Sequence, residues 1–159
     1  MDGDRAARES LAPKVDPVQF ARRRQVVEGQ TPFTLMARLV SAGVAADAAA
    51  DGAVAWRIEG SVGQDDLGRQ RDFLLARTRF APVMSCSRCL GPVQLPEIAS
   101  ETRFRLAASE AQAEREDREA ETVEVIAATP VLDLAALVED EAILALPMAP
   151  AHEICPPDV

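Results

Sequence analysis

The chain has 159 residues, 48% of them apolar but only six aromatic (five Phe and one Trp), and a net charge of −9. That size sets a single domain with an aliphatic, alanine-rich core. Three cysteines, an odd number, argue against a disulfide framework and for a reducing compartment. The opening MDGDRAARES lacks the apolar stretch of a secretory signal. Nor does any run of about 18 uncharged apolar residues exist to span a bilayer, so a cytoplasmic protein with no membrane contact is expected. Charge is divided unevenly: residues 1–105 carry a balance of +2 and residues 106–159 one of −11. Phosphate would be repelled by the acidic final third, so any nucleic-acid contact belongs to the first two-thirds. On charge alone, both parts are equally readable as ordinary solvated surface.

In chain order, residues 1–14 are polar, charged and expected to be flexible, with a single domain over 15–159. Asp16-Pro17 resembles an N-cap followed by proline at the first helical position, opening a helix over roughly 17–28 that Gly29 ends. Arg22, Arg23 and Arg24 run round that helix and are candidates to grip phosphate or a protein partner. FTLMARLVSAG places Leu35, Leu39 and Val40 at short-helix spacing, closing at Gly43, and an alanine-rich connector with Asp47 and Asp51 follows. Val54, Trp56, Ile58 and Val62 then alternate as one face of a strand. Gln64 to Gly68 makes a turn, and residues 72–84 read as a second strand running into Cys86. After it, Phe104 and Leu106 alternate with Arg103 and Arg105. Arg77 and Arg79 on the preceding strand join these two as candidate RNA- or partner-binding residues.

The segment ASEAQAEREDREAE is charged and has no buried-face pattern. A flexible insertion at about 108–122 is its simplest account, with a single exposed helix as the other. VEVIA at 123–127 suits an edge strand. Asp133 is a candidate N-cap for a helix bearing Leu134, Leu137, Val138, Ile143 and Leu144, stopped by Pro147. Its adjacent Glu139, Asp140 and Glu141 span too wide an arc for a catalytic pair and read as a solvated face.

All three cysteines and the one histidine fall in two short stretches, CSRCL at Cys86–Leu90 and HEIC at His152–Cys155. Three thiols and an imidazole form one of the common closed structural sets for zinc. Cys86 and Cys89, two residues apart, can turn both sulfurs toward one point, and Gly91 suits a tight turn with positive φ. With 62 residues between Cys89 and His152, the fold of the whole domain has to close such a site. Two other readings stand beside it. Reduced cysteines also serve as small buried hydrophobes. A thioredoxin-like redox centre would need the CxxC pair to open a helix, whereas Gly91-Pro92 and an alternating strand follow it. The expected fold class is α+β: a mostly antiparallel sheet with N-terminal helices and one C-terminal helix, closed by the Cys/His cluster.

The strand leading to CSRCL, the acidic insertion, DLAALVEDEAILALPMAPAHEIC and the opening DPVQFARRR together resemble the YceD family (DUF177 domain), the large ribosomal RNA subunit accumulation proteins. Resemblance covers most of residues 15–155. It implies a bacterial cytoplasmic factor needed for synthesis, processing or stability of 23S ribosomal RNA. The implied partner is a large-subunit precursor, whether the RNA or a ribosomal protein, or another maturation factor. No catalytic residue is carried over. Cys86, Cys89, His152 and Cys155 fall on the family's Cys/His positions; zinc there is an inference from their chemistry. The expectation is a non-enzymatic binding or assembly protein with no evident small-molecule substrate. An RNA-processing enzyme and a thiol oxidoreductase are the alternatives.

Overall fold

A computed structural model describes residues 11–47, 52–120 and 122–157. The flexible start expected at 1–10, part of the alanine-rich connector and residue 121 lie outside them. Residues 11–14, also expected to be flexible, are held: Ala12 is buried, and strand β1 (Lys14–Val15) pairs with β9 (Leu132–Asp133).

Helix α1 (Pro17–Arg22) starts as the sequence predicts, with Asp16 accepting from the backbone N–H of Val18 and Gln19 at 3.0 Å each. It ends six residues earlier than expected. Arg24 takes φ 51° and turns the chain, and Val26–Pro32 becomes strand β2. Here the β-branched Val26, Val27 and Thr31 find extended partners along β3, and tertiary pairing overrides a weak helical pattern. A 3-10 turn (Phe33–Leu35) and helix α2 (Ala37–Ser41) follow, and Gly43 at φ 113° ends the segment. The buried residues are Phe33, Met36 and Leu39, while Leu35 faces outward.

Strands β3 (Ala53–Gln64), β4 (Gln70–Phe80) and β7 (Ile98–Ala107) are the long members of a five-stranded sheet in the order β2-β3-β4-β7-β8. All neighbours are antiparallel except β7 and the edge strand β8 (Glu124–Ala127). One face carries Val54, Trp56 and Ile58 on β3, Leu74, Ala76 and Phe80 on β4, and Phe104 and Leu106 on β7, all buried. Helix α4 (Leu134–Ala145) lies on this face, burying Leu134, Val138 and Ala142 at helical spacing. Asp133 caps it, accepting from the N–H of Ala135 and Ala136. Helix α1 crosses the same face at Gly60, where a Cβ would stand 2.5 Å from the Phe20 carbonyl oxygen.

Two expectations fail for tertiary reasons. The supposed flexible insertion contains helix α3 (Glu110–Asp117), capped by Ser109 and burying Ala113. Glu116 anchors it to the sheet through Arg71 at 2.6 Å and Arg105 at 3.2 Å. Burial works against ionising Glu116, but Arg71, Gln112 and Arg105 outweigh it and hold the carboxyl below its ordinary range. The acidic run on α4 is no solvated face either. Glu141 is buried and accepts from the Thr102 hydroxyl, and Glu139 caps α2 by accepting from the N–H of Arg38 at 2.7 Å and Leu39 at 3.0 Å. Asp140 pairs with the Arg38 guanidinium.

Candidate metal centre

A small hairpin hangs from the end of β4: β5 (Val83–Ser85) and β6 (Pro92–Gln94) pair with Met84 opposite Val93, and both of those side chains enter the core. Its tip, residues 86–91, is wound tightly. Leu90 N–H donates to the Cys86 carbonyl at 2.9 Å and Cys86 N–H to the Gly91 carbonyl at 2.8 Å. The left-handed residue in this tip is Leu90 at φ 61°, not Gly91 as the sequence suggested. The side chain of Leu90 is exposed, so nothing crowds it.

Pro147 ends α4, and the chain then passes without regular structure across the hairpin tip. Ser87 N–H donates to the Pro150 carbonyl at 2.7 Å, and the Arg88 guanidinium donates to the His152 carbonyl. These two contacts dock the C-terminal segment on the turn. As a result one ligand atom from each of Cys86, Cys89, His152 and Cys155 lies within 4.8 Å of all the others. The four candidates from the sequence are thus brought together, and the domain closes the long gap between them.

The distances fit a tetrahedral centre. Two sulfurs each about 2.3 Å from one zinc ion lie about 3.8 Å apart. Cys86 Sγ and Cys155 Sγ are 3.9 Å apart, and Cys89 Sγ is 3.4 Å from His152 Nδ1. The imidazole is also oriented from behind. His152 Nε2 is 3.0 Å from the Pro92 carbonyl oxygen, which only accepts, so Nε2 carries the hydrogen and the Nδ1 lone pair faces the sulfurs. Donor set, spacing and outer hydrogen bond all fit a soft or borderline divalent cation.

The electrostatics agree. Backbone N–H of Cys89, with those of Arg88 and His152 adding to it, lowers the Cys86 thiol to about 5 against the opposing effect of burial. Burial pushes the Cys155 thiol up, as do its contacts with the sulfurs of Cys86 and Cys89. A bound cation would hold these sulfurs as thiolates, displacing any proton they carry. Sequence reasoning missed the supporting groups, the carbonyls of Pro92, Pro150 and His152 and the side chain of Arg88. Backbone carbonyls leave no sequence signal.

Arg77, Arg79, Arg103 and Arg105 share the sheet face opposite the core, but acidic side chains are interleaved with them, and Arg22, Arg23 and Arg24 lie apart at the end of α1. Arg77 sits between Glu59 at 3.2 Å and Glu101 at 2.5 Å, in a register that runs Glu28, Arg57, Arg77, Glu101 across four strands of the sheet face opposite the core. Glu101 first, then Glu59, holds the Arg77 guanidinium above its ordinary value. Arg79 pairs with Glu97, Arg105 with Glu116 and Arg22 with Asp72, while Arg103 stacks 3.9 Å over the Phe73 ring. Arg23 and Arg24 are exposed and make no ion pair among the described residues.

The fold and the site define an α+β protein whose hairpin tip and C-terminal segment meet at a Cys3His group able to hold a metal ion. The chain belongs to the YceD family: the family's sequence model, described as large ribosomal RNA subunit accumulation protein YceD, matches residues 74–158. The match runs from β4 through all four Cys/His positions. The opening DPVQFARRR, part of the resemblance noted from the sequence, lies outside it. No protein with curated annotation and no solved structure matches the chain.

Proposed function

We propose that the chain is a non-enzymatic, bacterial cytoplasmic factor that supports synthesis, processing or stability of 23S ribosomal RNA. It acts by binding a large-subunit precursor or another maturation factor, and zinc at the Cys3His centre holds its C-terminal segment in place. The observation that carries this reading is that the family-matched residues are the ones converging on the centre. In the Mechanism this implies, Cys86 and Cys89 present the hairpin tip, and His152 and Cys155 bring in the segment after α4. Zinc would supply closure without redox chemistry of its own.

Between the two partner classes, the charge arrangement favours protein. Glutamates pair with three of the four candidate arginines on the strands and an aspartate with Arg22, which leaves Arg23, Arg24 and the ring-stacked Arg103 without an acidic partner among the described residues. The acidic final third complements a basic ribosomal protein. The enzyme alternative loses its carboxylate cluster, because Glu139 and Glu141 are committed to α2 and to Thr102. The test is pull-down from ribosomal-precursor fractions with metal-loaded protein, scored for RNA and for basic proteins across a salt series. Retention of a basic protein that survives nuclease treatment supports the reading. Retention of RNA alone, lost with Arg23→Glu/Arg24→Glu and steep in salt, favours the RNA version. Cleavage of precursor RNA would overturn both.

A further inference from the structure

The parts of the Cys/His centre are held by different amounts of local structure. Cys86 is fully buried, and its backbone is tied into the hairpin tip through Gly91 and Leu90. Cys89 belongs to the same wound turn and faces His152 Nδ1 at 3.4 Å. Cys155 is half-buried in the irregular segment beyond α4, outside any helix or strand. Its sulfur touches that of Cys86 at 3.9 Å. A disulfide needs the sulfurs about 2.05 Å apart. Cys155 can close that gap by a small shift of its own segment. The Cys86 and Cys89 sulfurs also lie within 4.8 Å of each other, but both are carried by the one hydrogen-bonded turn, whereas Cys155 comes from a separate segment.

We propose that the centre is a peroxide-sensitive site in which oxidation joins Cys86 to Cys155, releasing the metal while keeping the C-terminal segment fastened to the hairpin. This rests on the metal reading above and adds a regulation of the same site. The Cys155 thiolate, in a residue more exposed than Cys86, attacks one oxygen of hydrogen peroxide; the O–O bond breaks, Cys155–SOH forms, and the departing hydroxide takes a proton from solvent to become water. The Cys86 thiolate then attacks the Cys155 sulfur, forming S–S and expelling the second oxygen as hydroxide, which also takes a proton from solvent to become water. Two electrons pass from the sulfur pair to the peroxide, and the products are one disulfide and two waters per peroxide consumed. With both sulfurs in the disulfide, Cys89 and His152 alone would remain to hold a zinc ion, which supplies no electrons to the reaction. Cys89 remains a free thiol beside His152.

The experiment treats the full chain, purified without a histidine tag and loaded with one zinc, with hydrogen peroxide. Zinc release is followed with a chromogenic chelator, and disulfides are mapped by mass spectrometry after thiol blocking. The apo chain is treated in parallel. One zinc released per disulfide, a single linked peptide joining Cys86 and Cys155, and reloading after dithiothreitol are expected. Cys89→Ser should still form the link, and Cys155→Ser should form none. A Cys86–Cys89 link, zinc release with sulfinic acid and no disulfide, or no reaction overturns the proposal. A chain that binds no stoichiometric zinc yet links Cys86 to Cys155 refutes the metal reading and the release step together, but leaves the thiol pairing standing.

Discussion

Helix α2 has no cap of its own: Met36 precedes it without a side-chain hydrogen bond to its first turn. Glu139, some hundred residues further along, does the capping, so replacing it with alanine is a direct test of how α4 holds the N-terminal segment. The magnitude follows from three parts. Leu39 is fully buried, and stripping its N–H of an acceptor costs about 1–3 kcal/mol. The Arg38 N–H is exposed and water can replace its bond, so the lost cap adds about 0.5–1 kcal/mol there. The Arg38 guanidinium pair, 52% exposed on the arginine side, adds at most about 1 kcal/mol. Together Glu139→Ala should cost roughly 1.5–5 kcal/mol, a fall in Tm of about 3–20 °C for a chain this size. Glu139→Gln keeps an acceptor for Leu39 and should lose less than half as much, and Asp140→Ala under about 0.5 kcal/mol. Urea unfolding followed by Trp56 fluorescence measures all three. A loss below about 0.5 kcal/mol for Glu139→Ala, or equal losses for Ala and Gln, refutes the capping argument.

Three further outcomes are expected. Chelation, or Cys155→Ser, should strip amide-exchange protection from residues 86–91 and 147–157 while β3, β4 and β7 keep theirs, because the core behind the centre is complete without it. A hundredfold excess of metal over its dissociation constant contributes about 2.7 kcal/mol, so Tm should fall about 5–11 °C; global unfolding on chelation would refute this picture. Burial foremost, with Glu124 and Asp140 adding, raises the Glu141 carboxyl, while the Thr102 hydroxyl opposes the shift. The folded state therefore keeps a proton that the unfolded chain gives up, and this group's contribution to stability falls as pH rises from the ordinary glutamate range through the raised value. Glu141→Gln should thus gain stability relative to wild type above that window, read as a pH-dependent difference in urea midpoints; a difference flat with pH would sink it. Gly60→Ala drives a Cβ to 2.5 Å from the Phe20 carbonyl and 2.8 Å from Ala21 Cα, both backbone, and should cost about 1–3 kcal/mol by denaturant melt.

Much of the architecture was legible because local signals and tertiary structure agree. Alternation along Val54–Ile58 and Phe104–Leu106, and the caps at Asp16 and Asp133, depend on neighbouring residues and survive as expected. The misreadings came where distant partners decide. Val26–Pro32 is a strand because β3 offers it an edge. Residues 110–117 form an anchored helix because Arg71 and Arg105 hold Glu116, and the α4 carboxylates are committed because α2 and β7 lie beneath them.

Composition alone identified the candidate ligands, since this chain has no other thiol or imidazole to offer. Whether they meet was beyond it, for the 62 residues between Cys89 and His152 can be closed only by a folded sheet that returns the end of α4 to the hairpin tip. Likewise the sequence displayed the arginines but not their charge balance, because a strand residue's partner is set by register, and register exists only once strands pair.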